Sequence, residues 1–301
     1  MKILITGGAG FIGYHLVKKL SENHDISIID FSSKIKKIKI PKDIKTYSVD
    51  ISSEKAFSSI PRDFDIIVHC AAQTGGYYSL TDPRKDAMWN TVGTSNLVNF
   101  SKECSKLRKI IYTSSMAVYG EGLDRKETDP LSPISFYGCS KLSGEFYLKA
   151  LQDQSGIDYI VLRLWNTYGS GQDMQNRHQG MLSIYLDQAL NSNTVTITGS
   201  KKRIRDFVHV SDVVSAIDIC IKNDVLNNKI FNICSGIEST SEDIIYKIGS
   251  LLKKNLKIKE VNGYLGDQQY SSGNNSKIIS AGWKISTTLD EGIEEFIRSL
   301  N

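Results

Sequence analysis

The sequence is poor in several things that would have fixed its class at once. Five cysteines, Cys70, Cys104, Cys139, Cys220 and Cys234, are an odd number, and no two stand in a C-x-x-C pair. That spacing argues against a disulfide framework or a structural zinc site and fits a reducing compartment. No long apolar run and no signal-peptide arrangement appears, so a soluble, cytoplasmic protein with no membrane partner is expected. The excess of positive charge is slight, a formal +4, and it is scattered. That argues against a nucleic-acid partner. The densest basic stretch, Lys34 to Lys45 (with Lys36, Lys37, Lys39 and Lys42), reads as a solvated loop or edge. Internal repeats and low-complexity segments are absent, and no metal-ligand cluster stands out.

What remains is ordinary for a globular enzyme. The 301 residues are 40% hydrophobic and 23% charged, enough to bury a core with a modest second lobe. In the first half, strand-like runs at Lys2–Thr6, Asp25–Ile29, Lys45–Val49, Ile66–Cys70, Lys109–Thr113 and Tyr159–Arg163 alternate with helical patterns at Gly13–Glu22, Arg84–Ser105 and Tyr137–Gln154. Continuous apolar strands between helices predict an α/β fold, a doubly wound parallel sheet of Rossmann type. After about Asn166 the pattern loosens into a loop over Tyr168–Gly180. A helix at Met181–Leu190, a strand at Thr194–Thr198, a loop carrying Arg203 and Arg205, a helix from near Ser211 and an amphipathic helix at Leu289–Leu300 follow. The expected division is a dinucleotide-binding domain of residues 1–166 and 207–236, and a smaller α/β substrate-binding lobe of 167–206 and 237–301.

Two constellations carry chemistry. Gly7, Gly10 and Gly13, with Phe11 and Ile12 between them, follow the first strand and open a helix. Glycines there let backbone N–H groups approach a pyrophosphate at a positive helix end. Asp30 ends the second strand, where a carboxylate accepts from both ribose hydroxyls and repels a 2′-phosphate; NAD is therefore expected over NADP. Asp50 and Ile51 follow the third strand, placed either for the adenine edge or, in the case of Asp50, as a helix N-cap. The second constellation is Tyr137 and Lys141, four apart on a predicted helix and so on one face. A lysine cation lowers a phenol's pKa and makes it a usable general base. Ser115 ends the fifth strand after Thr113 and Ser114, at the edge where ligands bind, and can donate to a substrate oxygen. Outside such a context the same Tyr/Lys spacing is a surface pair.

The segments TGGAGFIG (Thr6–Gly13), HCAAQ (His69–Gln73), NTVGT (Asn90–Thr94), TSSMAVYG (Thr113–Gly120), YGCSK (Tyr137–Lys141), LRLWNTYG (Leu162–Gly169), RDFVHVSDVV (Arg205–Val214) and GWKISTTLDEGI (Gly282–Ile293) occur in order. With them the chain resembles the extended short-chain dehydrogenase/reductase family, in its branch of nucleotide-sugar epimerases and dehydratases similar to UDP-galactose 4-epimerases. The resemblance implies that Ser115, Tyr137 and Lys141 are catalytic. It implies that Cys70, Ala71, Gln73, Asn90, Thr113 and Trp165 line the dinucleotide. It implies that Asn166, Gln179 and Arg205 hold the nucleotide-sugar, with an ion pair as the other reading of Arg205. A homodimer through a helix pair including the Tyr137 helix is also implied.

Three departures bear on the reaction. Tyr264 and Leu265, not the arginine usual in relatives, precede Gly266-Asp267, so either Arg177 or Arg203 stands in as a second diphosphate ligand or the diphosphate is held more weakly. The loop Thr74-Gly75-Gly76-Tyr77-Tyr78 is unusual where relatives border the sugar. Met116-Ala117 replaces the acidic pair of the 4,6-dehydratases, and neither residue can exchange a proton. The expectation is C4 epimerisation of a nucleotide-hexose through a 4-keto sugar. Another conversion on the same fold (4-keto reduction, 2-epimerisation, decarboxylation, dehydration) or a non-catalytic NAD binder are the alternatives.

Overall fold

A computed structural model describes all residues except 42, 265 and 301. Lys42 of the basic stretch and Leu265 before Gly266-Asp267 thus lie outside the described residues. In chain order the first half runs β1 (Lys2–Thr6), α1 (Phe11–Leu20), β2 (Asp25–Asp30), α2 (Ser32–Ile35), β3 (Lys45–Ser48), β4 (Ile66–His69), α3 (Gly76–Thr81), α4 (Pro83–Ala87), α5 (Gly93–Lys102), β5 (Lys109–Ser115), β6 (Gly122–Arg125), α6 (Phe136–Ser155) and β7 (Asp158–Leu164). The second half runs β8 (Asn166–Tyr168), α7 (Met181–Asn191), β9 (Thr194–Thr198), β10 (Ile204–His209), α8 (Val210–Lys222), β11 (Lys229–Ile233), β12 (Glu238–Thr240), α9 (Ser241–Leu252), β13 (Lys257–Val261), β14 (Tyr270–Gly273), α10 (Ser276–Ser280) and α11 (Leu289–Arg298).

Seven strands form one parallel sheet in the order β11-β7-β5-β4-β1-β2-β3. The alternation along β1 explains its two covered faces. Ile3 and Ile5 pack with Leu16 of α1 and Val213 and Ile217 of α8. Leu4 packs on the other side with Leu97 of α5 and Leu148 of α6. A sheet buried on both faces is the doubly wound arrangement. Strand order reverses between β1 and β4, and the crevice beyond their carboxyl ends is where such sheets bind ligands.

A second, smaller sheet runs β12-β10-β14-β6, with β8 also paired to β10. Strand β6, from inside the first half of the chain, is thus paired into this second sheet. A third core, with Leu182, Tyr185 and Leu186 of α7, Ile244 and Ile248 of α9, and Phe296 of α11, lies beneath β9 and β10. No helix among the described residues is long and apolar enough to cross a membrane.

Three local expectations are corrected. Arg205 lies on a strand, not in a loop, because β10 finds partners in β8, β12 and β14. The expected single helix over Arg84–Ser105 is α4, a π-helical turn at Met88–Val92 and then α5. Asn90 sits in that wide turn and donates to both the Gln73 carbonyl (3.0 Å) and Ser140 Oγ (3.0 Å). Those bonds draw the backbone towards α6, a usual setting for π turns. The closing helix ends at Arg298 rather than Leu300. Lys34, Lys36, Lys37, Lys39 and Lys45 are all exposed.

Candidate active site

The turn after β1 is built for a close approach. Gly7 has φ +72°, and a Cβ there would lie 2.6 Å from the Ala71 nitrogen, across the crevice between β1 and β4. A Cβ on Gly13 would run into the Gly7 carbonyl. Helix α1 starts after Gly10 with no side-chain cap and no acidic residue in its first turn, so no side chain of its own first turn neutralises its positive end. Phe11 and Ile12 form that first turn. Asp30 ends β2 with Oδ2 accepting from the Ala9 N–H (2.9 Å) and Oδ1 from its neighbour Phe31 (2.8 Å). Burial pushes its carboxyl up, while those backbone bonds and Lys34 pull it down. Each oxygen keeps a lone pair for a ribose hydroxyl. A glycine cradle, a helix start without a side-chain cap and a fixed carboxylate fit a dinucleotide.

The other expected cofactor residues divide. Gln73 and Asn90 lock together, Gln73 N–H donating to Asn90 Oδ1 at 2.8 Å, and Gln73 Oε1 is buried with no partner among the described residues. Cys70 and Ala71 follow β4 directly, and burial pushes the Cys70 thiol up to about 12, so it is not a nucleophile. Thr113 donates to the His69 carbonyl (3.1 Å). Asp50 accepts from Ser52 N–H (2.9 Å) and Oγ (2.8 Å), and Ile51 is packed in the core. Trp165 is buried among Val118, Tyr119 and Cys234, with its indole N–H unpartnered among the described residues.

The catalytic candidates converge where β5 meets α6. Ser115 ends β5, is buried, and its Oγ accepts from Ala117 N–H (3.2 Å) in the short turn Met116–Val118. Helix α6 begins after Ser135, whose side chain accepts from Gly138 N–H, so Tyr137 falls in the first turn and Lys141 in the second. Burial pushes the Tyr137 phenol up to about 12; its hydrogen bond with Ser115 pulls the other way, and the charge of Asp86 adds to the rise. Burial pushes the Lys141 ammonium down to about 8, with Cys70, Glu145 and Asp86 opposing. Lys141 Nζ stands 4.2 Å from the Tyr112 ring centroid, a cation–π contact. At neutral pH the phenol is therefore protonated and the lysine still mostly cationic.

Of the substrate candidates, Asn166 donates to the Asp206 carbonyl (2.9 Å), beside Arg205. Gln179 is exposed, accepting weakly from Asn176 (3.4 Å). Arg205 is buried and pairs with Asp267 (3.2 Å), not with Asp206, whose carboxylate caps Ser235 and Gly236. Arg177 points to Asp187 at the surface.

Several residues of this region carried no sequence signal. Asp86 is buried, accepts from Asn90 (3.1 Å), and is pushed up by burial. His69 is buried between Thr6 Oγ1 (2.6 Å) and Thr94 Oγ1 (3.0 Å). Glu145 takes a bidentate bond from Arg163, with Nε at 3.0 Å and Nη2 at 2.7 Å. Only Glu145 could have been found, being one further turn from Lys141 on the same face.

The family model for the NAD dependent epimerase/dehydratase family matches residues 3–234. A Methanocaldococcus jannaschii protein, provisionally named a UDP-glucose 4-epimerase, is 34% identical over 98% of this chain and 97% of its own. The dTDP-4-dehydro-6-deoxyglucose reductase of Escherichia coli is 30% identical over 99% and 97%. The crystal structure of a Thermotoga maritima UDP-glucose 4-epimerase with UDP-glucose superposes with a TM-score of 0.92, at 30% identity over 100% of this chain and 98% of that one. With the glycine cradle and the Tyr137/Lys141 face already in place, the chain belongs to the NAD-dependent epimerase/dehydratase family, of the extended short-chain dehydrogenase/reductase type.

Proposed function

We propose that the chain interconverts nucleotide-sugars epimeric at C4 of the hexose, through a 4-keto sugar, with NAD as cofactor. The observation that carries this reading is the placement of Tyr137 and the buried Lys141 one turn apart on α6, packed against the end of β5 that carries Ser115. Beside them stand Met116 and Ala117, which can move no proton. Ser115 holds the C4 oxygen and Tyr137 takes its proton, while Lys141 stabilises the phenolate. Bound NAD+ would accept and return the C4 hydride and add the second positive charge that a phenol near 12 needs to ionise. Gly7, Gly10, Phe11, Ile12, Gly13 and Asp30 hold the cofactor in this reading, with Asp50, Ile51, Cys70, Ala71, Gln73, Asn90, Thr113 and Trp165 around it. Asn166, Gln179 and Arg205 hold the nucleotide-sugar in the smaller lobe. Its setting is the cytoplasm, as a homodimer, supplying polysaccharide precursors.

The test is proton NMR in D2O on the purified protein with UDP-, GDP-, CDP- and dTDP-hexoses and no added cofactor. A C4 epimer without deuterium uptake is expected, and Tyr137→Phe should lose at least ~10²-fold in rate while still binding NAD. A 6-deoxy-4-keto product carrying deuterium would replace the reading with dehydration. Net consumption of added NADH or NADPH would replace it with 4-keto reduction, the reaction named for the Escherichia coli relative.

A further inference from the structure

Helix α4 packs against α6 and carries one buried carboxylate, Asp86. Asp86 is 1% exposed and Lys141 2%. Asp86 Oδ1 accepts from Asn90 Nδ2 (3.1 Å), and the same nitrogen reaches the Gln73 carbonyl (3.0 Å) and Ser140 Oγ (3.0 Å). An amide nitrogen has two hydrogens to share among those three acceptors. One donor thus spans the carboxylate and the residue next to Lys141, and gives the carboxylate only part of its bonding. Ser140 Oγ also donates to the Tyr137 carbonyl (3.0 Å), which ties the same hub to the first turn of α6. A buried carboxylate needs full hydrogen bonding or a counter-charge. Among the described residues, the one charge that acts on Asp86 is that of Lys141. Burial pushes the Asp86 carboxyl up, while the Ser140 hydroxyl and Lys141 pull it down.

The other titratable groups around the pair bring no net charge. Burial pushes the His69 imidazole down to about 3, the Cys70 thiol up to about 12 and the Tyr112 phenol well up. Glu145 is engaged by Arg163 (2.7 Å). On α4 itself Arg84 and Lys85 are exposed, and Tyr77 and Tyr78 of α3 pack on His178. With NAD+ bound, Lys141 and the nicotinamide bring two positive charges, and a Tyr137 phenolate brings one negative. Asp86 supplies the other. Once the sugar has given its O–H proton to Tyr137 and its C4 hydride to the nicotinamide, the phenolate and nicotinamide charges vanish together. Lys141 and Asp86 remain as a neutral pair. The enclosure is then neutral on both sides of the transfer, with no uncompensated buried charge at either stage.

We propose that Asp86 is a positioning residue of the reaction, the buried counter-charge that keeps Lys141 cationic and favours the oxidised, positively charged form of the cofactor, with Asn90 fixing its carboxylate beside Ser140. It acts through Lys141 and the nicotinamide charge rather than on the sugar. Resting on the epimerase reading above only for Tyr137 and Lys141 as the reacting pair, this role needs no particular sugar.

Displacement of NAD from the loaded protein by NADH, followed by nicotinamide fluorescence, gives the ratio of the two affinities with no sugar present. Asp86→Asn, which keeps the shape and removes the charge, should move that ratio towards NADH by about tenfold, the effect of one unit charge in a poorly solvated place. A merely structural residue would weaken both forms alike, so a ratio within about threefold of wild type overturns the proposal. Should Asp86→Asn fail to fold, Asp86→Ser is read by the same ratio. The pH profile of turnover is the second readout. The Asp86 charge raises the pKa of both Tyr137 and Lys141, so its loss should move both limbs of the profile to lower pH. Limbs in place under a lower plateau overturn the proposal. A shifted affinity ratio in a protein that turns over no nucleotide-sugar would sink the epimerase reading and leave Asp86 its role towards NAD. Turnover with an unmoved ratio would do the reverse.

Discussion

His69 sits at the carboxyl end of β4 with both ring nitrogens engaged, and the bonds fix its tautomer. Thr94 Oγ1 donates to the Asn90 carbonyl (2.5 Å), so it can only accept from His69 Nε2–H. Nδ1 then accepts from Thr6 Oγ1–H, and Thr6 Oγ1 in turn accepts from Ala71 N–H at 3.2 Å. Protonating Nδ1 would break this chain in a buried place. Burial, helped by the charge of Lys141, accordingly pushes the imidazole down to about 3. Below its ordinary pKa near 6.5 the unfolded chain binds a proton that the folded one refuses. The stability held above pH 6.5 is therefore lost as pH falls from there towards 3, by up to ~1.4 kcal/mol per pH unit. Urea unfolding of wild type and His69→Asn between pH 6.5 and 4.5 should give a steeper acid loss for wild type; parallel curves would mean His69 does not titrate this way. The sequence offered HCAAQ as a motif, yet gave no sign that the histidine rather than Cys70 is the buried titrating group. Its partners lie 63 and 25 residues away.

Helix α6 organises the site through three successive turns. Tyr137, Lys141 and Glu145 recur every four residues on one face, and the first two were legible from that spacing alone. Glu145 accepts from Arg163 of β7 in a fork and from Ser114 Oγ at 2.5 Å, next to Ser115. Arg163 also donates to the Tyr119 hydroxyl (2.8 Å), which donates on to Asn232 Oδ1 (2.7 Å). One buried ion pair, 2% and 6% exposed, thus pins the helix to β5, β7 and β11. Removing one partner of such a pair leaves a buried bare charge and costs about 3–5 kcal/mol. Glu145→Ala should show that loss in chemical denaturation, and Glu145→Leu with Arg163→Met should recover most of it. A single variant within ~1 kcal/mol of wild type would mean that packing alone holds the helix. At this scale the sequence was readable where an element's own period declares it. The π turn was not, because side-chain bonds from Asn90 to other elements produce it, and a run from Arg84 to Ser105 looks uniformly helical in isolation.

At the scale of the whole molecule most local elements were legible, and the pairing of distant segments was not. Six of the seven strands of the large sheet fall in runs expected from the sequence, β3 as the polar KTYS and the others largely apolar, while β11 was not among them; parallel order follows from the helices between. The smaller sheet takes β6 from residues 122–125 and β14 from 270–273, and no local pattern announces a pairing across that separation. The proposed site straddles the two: Ser115, Tyr137 and Lys141 stand on the first sheet and α6, Arg205 on β10. In the homodimer proposed above, the outer side of α6 is the expected interface. Phe146 is 61% exposed and Tyr147 39% on the outer side of α6, an apolar surface that a lone chain would leave in water. A two-fold axis there sets Phe146 against its own copy's helix, so one substitution acts twice. Light scattering should give twice the 33.6 kDa of one chain for wild type and a single chain for Phe146→Asp. A wild type at the mass of one chain removes the dimer; a dimeric Phe146→Asp moves the interface off α6.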